Sequence, residues 1–351
     1  MESATTELTR LPGLEVAETK AEVKPEHWIE RGPSKRLMLF SGRSHPELAQ
    51  RIAQKLGIQV GDVSLRTFAS GETYCRYEES IRGADVFIVQ TSSPPVDQHL
   101  MELLIMIDAA KLASAKRITA VLPLYPYSRQ DKKSRPREPI TAKLVAEMIQ
   151  SAGADRVLTM DLHAGQVQGF FEVPVDHMTA LPMLAQYVRD LGLPEEVVAV
   201  APDTGRTRLA SKFAEMIGGD LAVLQKDRPA HNVARVTNVI GDIEGKCAVM
   251  TDDMVDTAGT LVAGAEFLKG RGAKRVFACA THGIFSHPAI ERIESSAIDS
   301  VIVTDTVPID PLTKPERVTV LTVADILAET IHNVFSDDSV SAIFGDMNAL
   351  F

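Results

Sequence analysis

The chain has few of the residues that would assign it to a secreted, redox or membrane-spanning class of protein. It contains only three cysteines, Cys75, Cys247 and Cys279, and no two of them have CxxC spacing. It has no run of about 18 apolar residues, the length that a transmembrane helix needs. We therefore expect reduced and mostly buried thiols, no membrane span and a cytoplasmic location.

Basic residues are also in the minority. Lys and Arg number 37 against 47 Asp and Glu, so the formal net charge is −10. The basic residues are concentrated in one segment instead of covering a face, which argues against bulk binding to nucleic acid or to an anionic membrane. Glycine and proline, at 22 and 19, are near average, which excludes fibrous and low-complexity classes.

The chain is long enough, at 351 residues with 45% hydrophobic, to bury one large core or two of ordinary size. Short apolar runs, such as residues 85–90 and 117–122, alternate with amphipathic patterns, such as 99–111. This alternation predicts an α/β fold with mostly parallel sheets flanked by helices. The order of elements repeats, which predicts domains at 34–177 and 178–335, a flexible acidic extension at 1–33 and a tail at 336–351. The extension lacks the apolar stretch of a secretory signal.

The most informative segment is 249–260, which has the pattern of a strand, a loop and a helix. An apolar run ends in the adjacent Asp252 and Asp253, and Asp256 opens a loop of small residues before a helix from about Leu261. Backbone N–H groups and threonine hydroxyls at a helix N-terminus can surround a phosphate. The paired acids suit sugar hydroxyls or a Mg²⁺ ion shared with a diphosphate. An acidic turn without a ligand is the alternative interpretation.

A second segment, 125–139, carries five cations in the nine residues from Arg129 to Arg137. It follows a predicted strand, and open α/β sheets bind their ligands at the carboxyl ends of strands. A mobile basic loop in that position suits closure over a polyphosphate such as ATP. Composition alone leaves open a solvated charged loop with no ligand.

These motifs resemble those of ribose-phosphate diphosphokinases, also called phosphoribosyl pyrophosphate synthetases. The resemblance covers about residues 35–344 and is carried by segments 125–133, 160–171, 174–176, 202–206, 226–228, 249–260 and 281–283. It implies two tandem phosphoribosyltransferase-like domains. It also implies transfer of the β,γ-diphosphoryl group of ATP to the 1-hydroxyl of ribose 5-phosphate, with release of AMP, for nucleotide, histidine and tryptophan biosynthesis.

The resemblance also implies roles for individual residues and for partners. Mg²⁺ is the implied cofactor, ADP and inorganic phosphate are the implied effectors, and the implied assembly is a homo-oligomer, typically a hexamer. The residues fall into four sets: the catalytic flap residues Lys226 and Arg228; the ATP-binding residues Phe68, Ser70, Glu72, Arg129 and Gln130; the metal ligands His163 and Asp203; and the ribose-5-phosphate-binding residues Asp252, Asp253, Asp256, Thr257, Ala258, Gly259 and Thr260.

The sequence departs from the family pattern at three positions. Ser70 stands where Asn or Asp is commoner, Asp227 stands between the two flap cations, and Ser134 stands where His or Asp is frequent. Two other hypotheses remain open. A phosphoribosyltransferase shares the phosphate loop but has no use for the basic loop or the flap. A non-catalytic regulatory relative usually lacks catalytic cations that this chain retains.

Overall fold

The computed structural model describes the backbone of residues 35–230 and 233–344, and the side chains of these residues except 226–235, 342 and 344. The predicted extension at 1–33 and the end of the predicted tail, from 345, lie outside the described residues. Within the described part of the chain, no helix is long and apolar enough to cross a membrane. The three cysteines are free, as expected, and Cys247 and Cys279 are buried.

The N-terminal half of the chain forms a five-stranded parallel sheet with the order β1-β4-β5-β6-β7. Its strands are β1 (Leu37–Ser41), β4 (Asp85–Val89), β5 (Arg117–Leu122), β6 (Arg156–Met160) and β7 (Val175–Met178). An antiparallel hairpin of β2 (Val63–Thr67) and β3 (Thr73–Tyr77) forms a separate small sheet. The hairpin was not among the strands expected from sequence.

The C-terminal half forms a seven-stranded sheet with the order β10-β9-β8-β11-β12-β13-β14. Its strands are β8 (Val197–Ala201), β9 (Asp220–Ala230), β10 (Val233–Ile240), β11 (Cys247–Val255), β12 (Arg275–Gly283), β13 (Ser300–Thr304) and β14 (Val318–Leu321). All neighbours are parallel except β9 and β10. Strand β11 pairs with β12 as far as Val255, so the adjacent acids Asp252 and Asp253 lie inside the strand.

Helices cover these sheets and pack into three apolar cores. They are α1 (Pro46–Leu56), α2 (Val96–Leu112), α3 (Thr141–Ala152), α4 (Leu181–Asp190), α5 (Thr207–Ile217), α6 (Gly259–Gly270), α7 (Ala289–Glu294) and α8 (Ala324–Ser336). Helices α1, α4, α5 and α8 contribute to one core that contains side chains of both sheets, including Phe87 and Val249. Helices α2 and α3 pack into a second core with the first sheet, and α6 and α7 into a third with the second sheet. The predicted α/β class with parallel sheets flanked by helices is confirmed.

Buried hydrogen bonds join the two sheets near the carboxyl ends of their strands. Asp161, directly after β6, accepts bonds from the Ala180 N–H at 2.8 Å and from the Thr281 hydroxyl on β12 at 2.6 Å. Thr91, just after β4, donates to the carbonyl of Thr306, just after β13, at 2.6 Å. The loops that follow β5, β6, β8 and β11 are therefore brought to one region, where polar side chains from distant parts of the chain meet.

Candidate active site

The loop between β11 and α6 is built to accept an anion. Its last residue, Ala258, has φ of +58° in the left-handed region, and the helix begins at Gly259, two residues earlier than expected. The first N–H groups of an α-helix have no partner within the helix. Thr257 and Thr260 are exposed beside them. Free N–H groups, hydroxyls and the helix dipole together favour a phosphate here.

The adjacent acids near the end of β11 are held by an arginine from another loop. Arg206 lies 2.9 Å from Asp252 through Nε and 2.5 Å from Asp253 through Nη2. Burial, together with the nearby charge of Asp253, raises the pKa of Asp252 to about 8. Burial acts in the same direction on Asp253, but a hydrogen bond from His163 and the charge of Arg206 outweigh it and hold the pKa of Asp253 below its usual range. The pair therefore combines one firmly ionised carboxylate with one that readily takes a proton.

His163 follows β6 and completes this cluster. Its Nδ1 lies 2.7 Å from Asp253 Oδ2 and 2.9 Å from Arg206 Nη2. A single nitrogen cannot donate to the carboxylate and accept from the guanidinium at once. The carboxylate is the stronger partner, so we assign the proton to Nδ1, which leaves the lone pair on Nε2. A histidine fixed by a carboxylate in this way is a common arrangement in metal ligands.

Asp203, the other predicted metal ligand, precedes a short 3-10 helix at Thr204–Arg206. Its Oδ1 accepts the Gly205 N–H at 3.0 Å. No group of three or more His, Cys, Asp and Glu side chains in the described part of the chain could hold a metal ion by itself. Asp203 and His163 nevertheless fit a Mg²⁺ ion that is shared with a substrate. Proteins often bind this ion through one or two carboxylates, and substrate phosphates and water complete its coordination.

The basic loop after β5 reaches the acidic region directly. Arg129 Nη1 lies 2.6 Å from Asp256 Oδ2, so a predicted ATP-binding residue contacts a predicted ribose-5-phosphate-binding residue. Gln130 accepts the Thr141 hydroxyl at 2.5 Å, at the start of α3. Glu138 accepts the N–H groups of residues 134 and 135, each at 2.8 Å, and so shapes the loop. The four remaining cations of the loop, Lys132, Lys133, Arg135 and Arg137, are exposed.

The predicted adenine-binding residues lie at the tip of the β2–β3 hairpin. The Phe68 ring is 51% exposed and meets Tyr74 edge-on, with 5.7 Å between ring centroids. The Ser70 hydroxyl donates to Glu72 at 2.8 Å. Across the described side chains, no hydrogen bond or ion pair joins Phe68, Ser70 or Glu72 to Arg129 or to the acidic pair. In the described part of one chain, these two predicted parts of the ATP site are therefore not linked by such a contact.

The predicted flap residues Lys226 and Arg228 belong to strand β9. Their side chains, and that of the intervening Asp227, lie outside the described residues. Arg206 is a residue of the candidate site that the sequence patterns did not single out. It was part of a recognised motif, at 202–206, but was given no role. The available signal was a cation three residues after Asp203 in a loop of small polar residues.

Comparisons with known proteins agree on one family. Residues 37–153 match the model of the N-terminal domain of ribose phosphate pyrophosphokinase, and residues 222–345 match the phosphoribosyl synthetase-associated domain. The chain is 48% identical over 307 residues to a ribose-phosphate pyrophosphokinase of Fusobacterium nucleatum, covering 87% of this chain and 97% of that one. It is 51% identical over 308 residues to that of Caldanaerobacter subterraneus, covering 88% and 98%.

A solved structure extends the likeness to the fold. The crystal structure of phosphoribosylpyrophosphate synthetase from Mycobacterium smegmatis superposes with a TM-score of 0.82 at 48% sequence identity. The match covers 86% of this chain and all of the solved one, at 100%. The architecture described above, with two sheets that share a helical layer, is therefore similar to that of a known enzyme over nearly its whole length.

Proposed function

The chain belongs to the ribose-phosphate pyrophosphokinase family, and from this premise we propose how its residues make 5-phosphoribosyl 1-diphosphate and AMP from ATP and ribose 5-phosphate. The observation that carries the assignment of residues is the 2.6 Å contact between Arg129 and Asp256. It joins the loop suited to a polyphosphate with the loop suited to a sugar phosphate. A diphosphoryl transfer between these two substrates needs both loops at one place.

Ribose 5-phosphate binds at the end of β11 and the start of α6. Its 5-phosphate accepts hydrogen bonds from the N–H groups near Ala258 and Gly259 and from the hydroxyls of Thr257 and Thr260. The sugar hydroxyls donate to the carboxylates of the strand and loop, Asp252, Asp253 and Asp256. Support comes from the left-handed turn at Ala258 and from the burial of Asp253, which strengthens its hydrogen bonds.

ATP binds at the basic loop, with Arg129 and Gln130 contacting it and the Phe68 ring stacking on adenine beside Ser70 and Glu72. His163 Nε2 and Asp203 would hold Mg²⁺ at its phosphates, where the ion neutralises charge on the polyphosphate. The support for this metal site is the Nδ1–H to Asp253 bond, which orients the ring and leaves Nε2 as the metal-binding nitrogen.

In the transfer, the 1-hydroxyl oxygen of the sugar forms a bond to the β-phosphorus of ATP. The bond between that phosphorus and the oxygen bridging to the α-phosphate breaks, AMP leaves with the bridging oxygen, and the hydroxyl proton is released. The cations of Lys226 and Arg228 stabilise charge on the diphosphoryl group as it moves, which is the dominant protein contribution to this class of reaction.

We further propose a homo-oligomer, a hexamer by resemblance, in which the hairpin tip of one subunit completes the ATP site of its neighbour. The half-exposed Phe68 ring, with no link to Arg129 in one chain, supports this. Mixing a Phe68→Ala/Glu72→Ala chain with an Asp253→Ala/Asp256→Ala chain should restore part of the activity that each lacks. If verified mixed oligomers recovered no activity, that result would contradict the shared site.

The same proposal includes four further expectations. They are regulation by ADP and inorganic phosphate, a cytoplasmic location, a domain division near residue 177 and the dispensability of residues 1–33.

The test of the function is a direct assay with ATP, ribose 5-phosphate and Mg²⁺. AMP should form in step with a diphosphate ester of the sugar, and neither substrate alone should give it. A phosphoribosyltransferase would instead consume that ester with a base and release free diphosphate. A regulatory relative would give no AMP unless mixed with an active subunit, so the three hypotheses give three different results.

A further inference from the structure

Arg206 lies where three separate strand ends meet. It belongs to the loop after β8, and its side chain is only 16% exposed. It contacts both acids near the end of β11, at 2.9 Å for Asp252 and 2.5 Å for Asp253. It also donates to the backbone carbonyl of His163, after β6, at 3.4 Å. One guanidinium therefore links the predicted sugar-binding acids to the loop that carries the predicted metal ligand.

The geometry uses the shape of the arginine side chain. Nε serves one carboxylate and Nη2 serves the other, so the planar fork fixes the two acids relative to each other. A lysine ammonium could supply a similar charge but could not reproduce this arrangement. Charge-assisted hydrogen bonds of this kind are stronger than neutral ones, and they are least screened where water is excluded.

Without this cation, the acidic pair would be unfavourable in the folded chain. Asp252 and Asp253 are neighbours, their side chains are 31% and 5% exposed, and two like charges at such a site repel. Without the guanidinium that bridges them, the two side chains would rotate apart. This change would remove acceptors from the arrangement that the sugar hydroxyls need.

We propose that Arg206 is a positioning residue for ribose 5-phosphate: it holds the Asp252 and Asp253 carboxylates in their sugar-binding arrangement before the substrate arrives. This rests on the proposed function of the acidic pair and adds a residue to it. Arg206 acts through the acids, so its loss affects the sugar substrate more than ATP. Pre-organisation of this kind lowers the cost of binding without adding a contact to the ligand.

The test compares Arg206→Gln and Arg206→Lys with the unchanged enzyme. The control is Lys212→Gln, which removes an exposed cation paired with Glu215 on helix α5. Binding of ribose 5-phosphate is measured by titration calorimetry at saturating Mg²⁺ with α,β-methylene ATP, which prevents turnover. Steady-state KM values are then measured for each substrate, together with the melting temperature of each variant.

For Arg206→Gln we expect the Kd and KM for ribose 5-phosphate to rise about tenfold or more, because charged hydrogen-bond partners are lost. The KM for ATP should change less than about twofold. Arg206→Lys should fall between Gln and the unchanged enzyme, since it keeps the charge but not the fork. Lys212→Gln should match the unchanged enzyme throughout.

Two results would overturn the proposal. One is an unchanged affinity for ribose 5-phosphate in Arg206→Gln. The other is an equal rise in KM for both substrates in the folded Arg206→Lys variant, which would mean a general structural role. If the unchanged enzyme itself neither binds ribose 5-phosphate nor forms AMP, the proposed function fails instead, so the two failures are distinguishable.

Discussion

The carboxyl edges of the two sheets carry opposite charges. At the edge of the N-terminal sheet, the loop after β5 presents exposed cations, of which Arg129 already contacts an acid. At the edge of the C-terminal sheet, β11 presents Asp252 and Asp253, which are partly buried and held by Arg206 and His163. Parallel sheets place ligands at the same kind of edge. The difference in charge between the two edges therefore comes from the loops and strand ends and not from the arrangement of the sheets.

The two edges also differ in how far they are formed in one chain. The acidic edge is fixed by contacts from β6 and β8, whereas the cations at 132–137 are exposed to solvent. Under the proposed function, a sugar would meet carboxylates that are already in place, whereas a polyphosphate would gather its cations as it binds. The following predictions test this contrast.

The largest effect is expected where transition-state charge is stabilised. Lys226→Ala should lower kcat about 10²–10³-fold, the usual loss for such a group. Binding of ATP should be largely retained, because a cation aimed at developing charge acts chiefly in the transition state. Rapid-quench measurement of AMP formation checks this, with Gln225→Ala on the same strand as control. Near-normal turnover in the Lys226 variant would remove the flap from the mechanism.

His163 belongs to the N-terminal edge but bonds to an acid of the C-terminal edge, so its removal breaks one of the contacts between them. His163→Ala should lower activity about 10–100-fold, as loss of an oriented ligand shell usually does. The free Mg²⁺ needed for half-maximal rate should rise. Activity measured against free Mg²⁺ checks this. An unchanged Mg²⁺ dependence would return the residue to a structural role.

A substitution at the tip of the β2–β3 hairpin should change the KM for ATP and not the KM for ribose 5-phosphate. Stacking of a base on an aromatic ring contributes about 1–3 kcal/mol. Phe68→Ala should therefore raise the KM for ATP at least about fivefold while leaving that for ribose 5-phosphate unchanged. Phe68→Trp, which keeps a stacking surface, should preserve most of the affinity. If both KM values rose together, the ring would be serving the assembly and not the base.

The smallest effect concerns stability. Burial lowers the pKa of His177 to about 4, and its Nε2 accepts the N–H of Leu162, next to His163. At a pH below about 6.5, the ordinary pKa of histidine, this side chain binds a proton in the unfolded chain but not in the folded one. The free energy of unfolding therefore falls as the pH drops from about 6.5 towards 4. His177→Gln should flatten this dependence in denaturant unfolding measured across that range. Parallel curves for the two proteins would contradict it.

Most of the residues in the candidate site could be proposed from the sequence because they follow strand ends closely, and their roles stay predictions. The run before Asp252, the small residues before α6 and the cations after β5 are all local patterns. Arg206 could not be placed in the same way, because its partners come from β6 and β11 and only the folded sheets bring them together. The hairpin was missed since β2 and β3 are five residues each and neither is fully buried. Strand β11 also continues beyond the apolar run that ends at Asp252. Polar residues continue a strand when a neighbouring strand pairs with them, as β12 does here.

The buried carboxylate of Asp161 bears on how the enzyme moves. Its bond to Thr281, with the Thr91 to Thr306 bond, fastens the two sheets next to the site. A hinge between the sheets would leave these groups unsatisfied, at about 1–3 kcal/mol for each buried partner left behind. Opening and closing for substrate exchange therefore belongs to the surface loops. The basic loop can act as a lid, while the platform beneath it stays rigid.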